Sequence, residues 1–130
     1  INAAPEDMPL AHQIKDILET HGISYSLPLE LSVNTKAAEI RQYLEQNLLY
    51  SDAVLVLYDN TSIVWVTEQL LYSRRIQGRR EQPLKMIAVY NKPLPGKTSL
   101  PLKFPNLRLL ECPTPQDATC LPLFIRALQP

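Results

Sequence analysis

Glycine is scarce in this chain, which has only three glycines among its 130 residues. Phosphate-cradling loops, both the P-loop and the dinucleotide-binding turn, need several glycines within a few residues of one another. Gly22, Gly78 and Gly96 stand far apart, so neither loop can form. The sequence therefore excludes the glycine-rich route to nucleotide binding.

Long apolar runs and cysteines are also lacking. The longest apolar run, residues 53–58, is far shorter than the roughly 20 residues that a membrane-spanning helix requires. Only two cysteines occur, Cys112 and Cys120, which are too few for a disulfide framework and have no metal ligands beside them. We therefore expect reduced thiols, a cytoplasmic location, and neither a metal nor a membrane as a partner.

Net charge is zero overall, with 13 basic and 13 acidic side chains, but it is split along the chain. Residues 1–60 carry three basic and nine acidic side chains, whereas residues 61–130 carry ten basic and four acidic ones. The balance of −6 against +6 excludes a uniformly basic nucleic-acid binder. Opposite charges on two faces would favour head-to-tail packing of copies of the chain.

Apolar periodicity alternates between helix and strand. Helices are predicted at residues 5–21, 37–48, 62–77 and 121–128, and strands at residues 23–27, 53–58, 84–90 and 107–110. This order predicts an α/β fold of flavodoxin-like type, with a doubly wound, mainly parallel sheet of about five strands and helices on both faces. Residues 1–130 would form one domain of a longer protein, with the first strand largely upstream of Ile1. Four prolines within residues 92–105 predict a loop where a crossover helix would otherwise lie.

Two clusters of charged residues have both a structural and a functional interpretation. Glu6 and Asp7 are typical of a helix first turn, but with Asp59 and Lys92 they would also suit a phosphoacceptor pocket at the carboxyl edge of the sheet. The basic cluster is either a solvated helix end or a surface for an anionic protein. Without interleaved aromatic residues or glycines it does not indicate a nucleic-acid site. This cluster consists of Arg74, Arg75, Arg79 and Arg80.

Three segments resemble the TIR (Toll/interleukin-1 receptor) domain in its divergent bacterial form. Residues 1–7 are similar to the end of its first box, where a strand and an Asn-type turn are followed by an acid and the first helix. Residues 51–58 are similar to its third strand. Residues 65–70, Trp-Val-Thr-Glu-Gln-Leu, resemble the Trp-x-x-x-Glu-Leu start of its third helix. The resemblance implies a flavodoxin-like fold and a ligand edge formed by Asn2, Ala3, Asp7, Trp65 and Gln69.

The resemblance also implies a loss of catalysis. Family members that cleave NAD use a glutamate four residues after the tryptophan, and this chain has Gln69 there. A carboxamide lacks the negative charge that would stabilise a developing oxocarbenium ion. Glu68 lies one residue early, about 100° around the helix, and should not replace it. The family's second and third boxes are not conserved in this sequence.

Three functions follow as expectations. The first is a non-catalytic TIR-like signalling module that binds a second copy of itself or a similar domain and uses no cofactor. The second is an NAD nucleosidase, with NAD as substrate and Trp65 lining its pocket. The third is a receiver-like or flavodoxin-like domain, although the chain lacks the multiple acids or the Ser/Thr-rich phosphate loop that those chemistries use.

Overall fold

The computed structural model describes residues 1–29 and 34–129, which contain four α-helices and three strands. The helices are α1 (Met8–Thr20), α2 (Ala37–Tyr50), α3 (Ile63–Gln77) and α4 (Leu121–Leu128), and a short 3-10 turn, Pro5–Asp7, leads into α1. The strands are β1 (Ala53–Tyr58), β2 (Met86–Asn91) and β3 (Leu107–Glu111). The predicted boundaries of α3, β1 and α4 are confirmed to within one residue. None of these helices is long and apolar enough to cross a bilayer.

The three strands form one parallel sheet in the order β1-β2-β3, with Ala53 paired to Met86 at the start of the first ladder. On the other side of β1, Asn2 makes a single parallel bridge to Val56. Parallel neighbours need crossover connections, and α3 provides the one from β1 to β2. The α/β class is therefore confirmed. The predicted count of about five strands is not reached, because the described residues contain three strands and one bridge.

Helices cover both faces of the sheet, as predicted. The alternation of side chains along β1 sends Leu55 and Leu57 to one face, where they join a core cluster with residues of α1 and α4. It sends Val54 and Val56 to the opposite face, where they join a second cluster with residues of α2 and α3. All four side chains are buried, which explains why β1 reads as a continuous apolar run.

The strand predicted at residues 23–27 does not form, although the structure describes the whole segment. A strand needs a neighbour with which to share a ladder, and the adjacent N-terminal segment makes only one bridge before it turns at Pro5. One hydrogen bond, from the backbone nitrogen of Ile1 to the carbonyl of Ser26, joins the two segments at 2.9 Å. The alternating apolar side chains of the segment still pack on the α1 side of the core.

Two residues fix helix ends by local hydrogen bonding, Gly22 after α1 and Ser62 before α3. Gly22 adopts a positive φ of 71° after α1, and the N–H of Ile23 bonds back to the carbonyl of Leu18 at 3.0 Å. This is the glycine-terminated Schellman arrangement. At the start of α3, the Ser62 side chain accepts a hydrogen bond from the Trp65 N–H at 3.1 Å. The cap fixes where the helix begins and thereby the direction in which its first residues point.

The prediction of reduced thiols is wrong in this structure, because Cys112 and Cys120 form a disulfide. Cys112 directly follows β3, and its N–H donates to the carbonyl of Asn91 at 2.8 Å. Cys120 is the residue before α4, and both sulfurs lie in the buried core. The number of cysteines does not indicate the pairing, which arises because the loop between β3 and α4 brings the two Cα atoms to within 5.0 Å.

Candidate functional site

A cleft of about 1020 Å³ opens beside the N-terminal segment. Its wall contains Asn2 and Ala3 from that segment and Trp65 and Gln69 from α3, together with residues of α2 and of the segment after α1. The structure thus brings together four of the five residues predicted to form a ligand edge. The fifth, Asp7, does not line the cleft and has a different role.

Two carboxamides meet at the wall of this cleft. The Asn2 side chain donates a hydrogen bond from Nδ2 to Oε1 of Gln69 at 2.8 Å. Asn2 is itself held by the sheet, since its N–H donates to Leu55 at 2.7 Å and its carbonyl accepts from Leu57 at 2.9 Å. Gln69 therefore has a fixed partner, but it brings no charge to the cleft. The pair can accept and donate hydrogen bonds, but it does not stabilise a cation, whereas a carboxylate would.

Trp65 and Glu68 are three residues apart on α3, but only Trp65 lines the cleft. Trp65 is half-buried and packs against the core cluster between the sheet and α2 and α3. Glu68 is exposed and does not line the cleft. The one-residue offset from Gln69, about 100° of helix, separates Glu68 from the site.

Asp7 is a buried carboxylate that organises the loop between β1 and α3. It is 1% exposed, and its oxygens accept three backbone hydrogen bonds: from Asn60 at 2.8 Å, from Thr61 at 3.3 Å and from Asp59 at 3.4 Å. Ser62, the cap of α3, follows directly. The sequence placed Asp7 at the correct edge of the sheet, but only the fold shows that it binds backbone N–H groups of its own chain.

The acid and lysine considered for a phosphoacceptor pocket line the same pocket. Asp59 and Lys92 line a second pocket, of about 370 Å³, at the carboxyl ends of β1 and β2, together with Tyr90. A receiver-type site needs several free carboxylates there, and the Asp7 carboxylate is already bound to the backbone. Among residues 1–29 and 34–129, no group of three His, Cys, Asp or Glu side chains could hold a metal ion.

Lys97, which the sequence did not single out, holds the proline-rich loop against the sheet. Its ammonium donates to the carbonyl of Tyr58 at 2.6 Å and to that of Lys92 at 2.9 Å, and it lies 4.0 Å from the centre of the Tyr58 ring. Burial lowers the pKa of Lys97. Residues 92–106 contain no helix, as their prolines predicted, and the Lys97 contacts are among those that hold them against the sheet.

We expect Tyr90 to make the stability of the fold depend on alkaline pH. Burial, with the nearby charge of Asp59 as a lesser cause, raises the pKa of Tyr90 from 10.0 to about 12. The folded state then keeps a proton that the unfolded state loses, so this contribution to stability is complete below about pH 10 and disappears as the pH rises to about 12. We expect Tyr90→Phe to flatten this part of the stability profile, measured by urea unfolding across that range. Tyr50→Phe, which alters a tyrosine that is 84% exposed, is the matched control. An unchanged profile in Tyr90→Phe would contradict the assignment.

Two of the four clustered arginines join α2 to the segment that directly follows α3. Arg79 forms an ion pair with Glu45 of α2. Arg80 donates from Nη1 to the carbonyls of Leu48 at 2.7 Å and Leu49 at 2.8 Å, and so caps the C-terminus of α2. These contacts join the acidic and the basic half of the sequence within one molecule.

The other two arginines of the cluster differ from each other. Arg74 lies over the ring of Phe104 in the proline-rich loop, 5.5 Å from its centre. Arg75 is exposed, and its side chain makes no hydrogen bond, ion pair or ring contact with any residue that the structure describes. Three of the four arginines in the predicted basic patch therefore make contacts within the molecule. Arg75 is the one whose charge remains free to contact a partner.

No protein-family profile, no curated protein and no solved structure matches the chain.

Proposed function

We propose that this chain is a TIR-like interaction module of a larger signalling protein, which self-associates and does not catalyse a reaction. A flavodoxin-like, doubly wound version of the α/β fold is part of the proposal. The parallel sheet with helices on both faces supports it, as does the position of Asn2, which borders β1 where the first strand of such a fold would end.

The observation that carries the proposal is the neutral amide pair in the cleft. Gln69 occupies the wall next to Trp65, where the resemblance places a catalytic glutamate, and its side chain is bound by Asn2. An oxocarbenium-like transition state is stabilised by a nearby negative charge, and this amide pair supplies none. A protein that keeps the cleft without the carboxylate fits an interaction role better than a catalytic one.

Sedimentation of the purified chain tests self-association directly. We expect the sedimentation coefficient to rise with protein concentration in about 50 mM salt and to rise less in about 500 mM salt, because exposed charges are screened at high ionic strength. A monomer at every concentration and both salt levels would contradict the proposal.

A second candidate, NAD cleavage, is favoured by the cleft itself. Its volume of about 1020 Å³ is at the upper end of the range for small-molecule sites, and Trp65 gives it an aromatic wall. If the chain cleaves NAD, the Gln69 carboxamide would have to position the ribose of NAD in place of the usual carboxylate.

Incubation with NAD separates the two candidates. We expect the native chain to release no nicotinamide above the blank, since position 69 has no charge. Gln69→Glu keeps the acceptor oxygen that Asn2 needs and adds the charge, so the variant should fold normally, with an unfolding free energy within about 0.5 kcal/mol of the native value.

The variants give distinct outcomes. Nicotinamide release by Gln69→Glu alone would show a cleft that is competent but lacks its acid, and release by neither protein would leave binding as the function. Release by the native chain would contradict the proposal. Glu68→Gln is the matched control, because removing an exposed carboxylate outside the cleft should change neither result.

A further inference from the structure

One side of α3 carries a stripe of four exposed residues. Val64, Glu68, Leu71 and Arg75 are spaced by four, three and four residues, which places them on one face of a helix. Val64 is 64% exposed and Leu71 is 44% exposed, although both are large apolar side chains. The residues that α3 buries against the sheet are others, Val66, Leu70, Ser73 and Ile76. We call the four exposed residues the α3 stripe.

The two charged members of the α3 stripe have no partner within the part of the chain that the structure describes. The side chains of Glu68 and Arg75 make no hydrogen bond, ion pair or ring contact there. The other arginines nearby are different, since Arg79 pairs with Glu45 and Arg80 caps a helix. Two opposite charges thus remain unpaired on either side of an exposed leucine.

We infer that the α3 stripe binds the α3 stripe of a second copy of this chain, with the two helices antiparallel. The inference rests on the proposed self-association and names the surface that performs it. A twofold axis close to Leu71 places that leucine against its own copy. The same axis sets Glu68 of each molecule opposite Arg75 of the other, so that two ion pairs flank an apolar centre.

Charge complementarity is the reason to choose a second copy over another partner. Glu68 and Arg75 lie seven residues apart, about 10 Å along the helix, with Leu71 nearly midway between them. The part of the stripe from Glu68 to Arg75 matches itself when it is reversed, whereas an anionic or cationic partner would match only one of its charges. The apolar area is small, so the association should be weak and should depend on salt.

Charge exchange at the two positions tests the surface. In a twofold interface each single variant, Glu68→Arg or Arg75→Glu, turns both ion pairs into repulsive pairs. We expect either variant to raise the dissociation constant of the dimer by about tenfold or more. The measurement is sedimentation equilibrium at low salt. The double variant restores two attractive pairs, and its dissociation constant should return to within about threefold of the native value.

Controls keep the outcomes distinct. Glu81→Arg with Arg126→Glu makes the same charge exchange at exposed positions outside α3 and should leave the dissociation constant unchanged. Circular dichroism should show that every variant is folded, because the positions are exposed. If the native chain self-associates but the single variants do not weaken it, or the double variant does not restore it, the α3 stripe is not the interface and self-association stands. If the native chain is monomeric throughout, both proposals fail.

Discussion

Replacing Asp7 by alanine is expected to lower the free energy of unfolding by about 3 kcal/mol or more. The carboxylate is 1% exposed and accepts hydrogen bonds from the backbone N–H groups of Asp59, Asn60 and Thr61. Alanine would leave these donors without their acceptor in a place that water reaches poorly. Because single domains are stable by only about 5–15 kcal/mol, this loss would be a large share of the total.

Urea unfolding of Asp7→Ala and Asp7→Asn gives the measurement. Asparagine keeps one acceptor oxygen but turns its NH₂ group towards the N–H donors, so we expect an intermediate loss of about 2 kcal/mol. Glu6→Ala is the control, since Glu6 is the exposed neighbour in the same turn. A loss below about 0.5 kcal/mol in Asp7→Ala, which is the range of ordinary surface substitutions, would show that the three hydrogen bonds do not matter for folding.

The same variants connect stability to the candidate site. The loop that Asp7 holds leads into Ser62 and from there to Trp65, which is the only tryptophan of the chain. A loosened loop should therefore alter Trp65 fluorescence under native conditions, before unfolding begins. Glu6→Ala should leave that fluorescence unchanged.

Elements governed by local rules could be predicted from the sequence. The run of apolar residues in β1 identifies a strand covered on both faces, and Ser62 identifies the start of α3. Gly22 marks the end of α1, because the helix terminates in a positive-φ conformation that glycine adopts readily. In each case the residues that decide the structure lie within a few positions of the element itself.

Features that depend on distant residues could not be predicted. Asp7 and Asn60 are 53 residues apart, and no local pattern indicates that one binds the other. The segment 23–27 has the alternation of a strand, but whether it joins a ladder depends on the length of its neighbour. Gln69 and its position next to Trp65 could be read from the sequence, whereas its partner Asn2, 67 residues away, required the fold.

The charge split has a different meaning in the folded chain. Its sequence halves do not form two separate faces, because α2 from the acidic half packs on α3 from the basic half and Glu45 pairs with Arg79. Part of the complementarity is thus used to hold one molecule together. In the proposed dimer, the charges that bind the second copy are local: Glu68 and Arg75 on the α3 stripe, which a second, antiparallel α3 would match.

Reduction of the disulfide is expected to lower the free energy of unfolding by about 2 kcal/mol. Cys112 and Cys120 are eight positions apart in the sequence. Closing a loop of this length lowers the conformational entropy of the unfolded chain, which stabilises the folded state by roughly 2.5 kcal/mol. The effect should be somewhat smaller where the reduced, unfolded chain keeps residual structure around the loop. Since Cys120 immediately precedes α4 and Leu121 is buried, the loss should fall on the packing of α4.

Urea unfolding with and without a reductant measures this contribution, and thiol titration in denaturant checks the pairing. We expect no free thiol before reduction and two afterwards. The variant Cys112→Ala/Cys120→Ala should resemble the reduced protein and should not respond to the reductant, which separates the disulfide from other effects of the reagent. Two free thiols in the unreduced, denatured protein would contradict the pairing and would favour the reducing compartment that the cysteine count alone suggested. A native disulfide would instead indicate that this chain folds where thiols are oxidised.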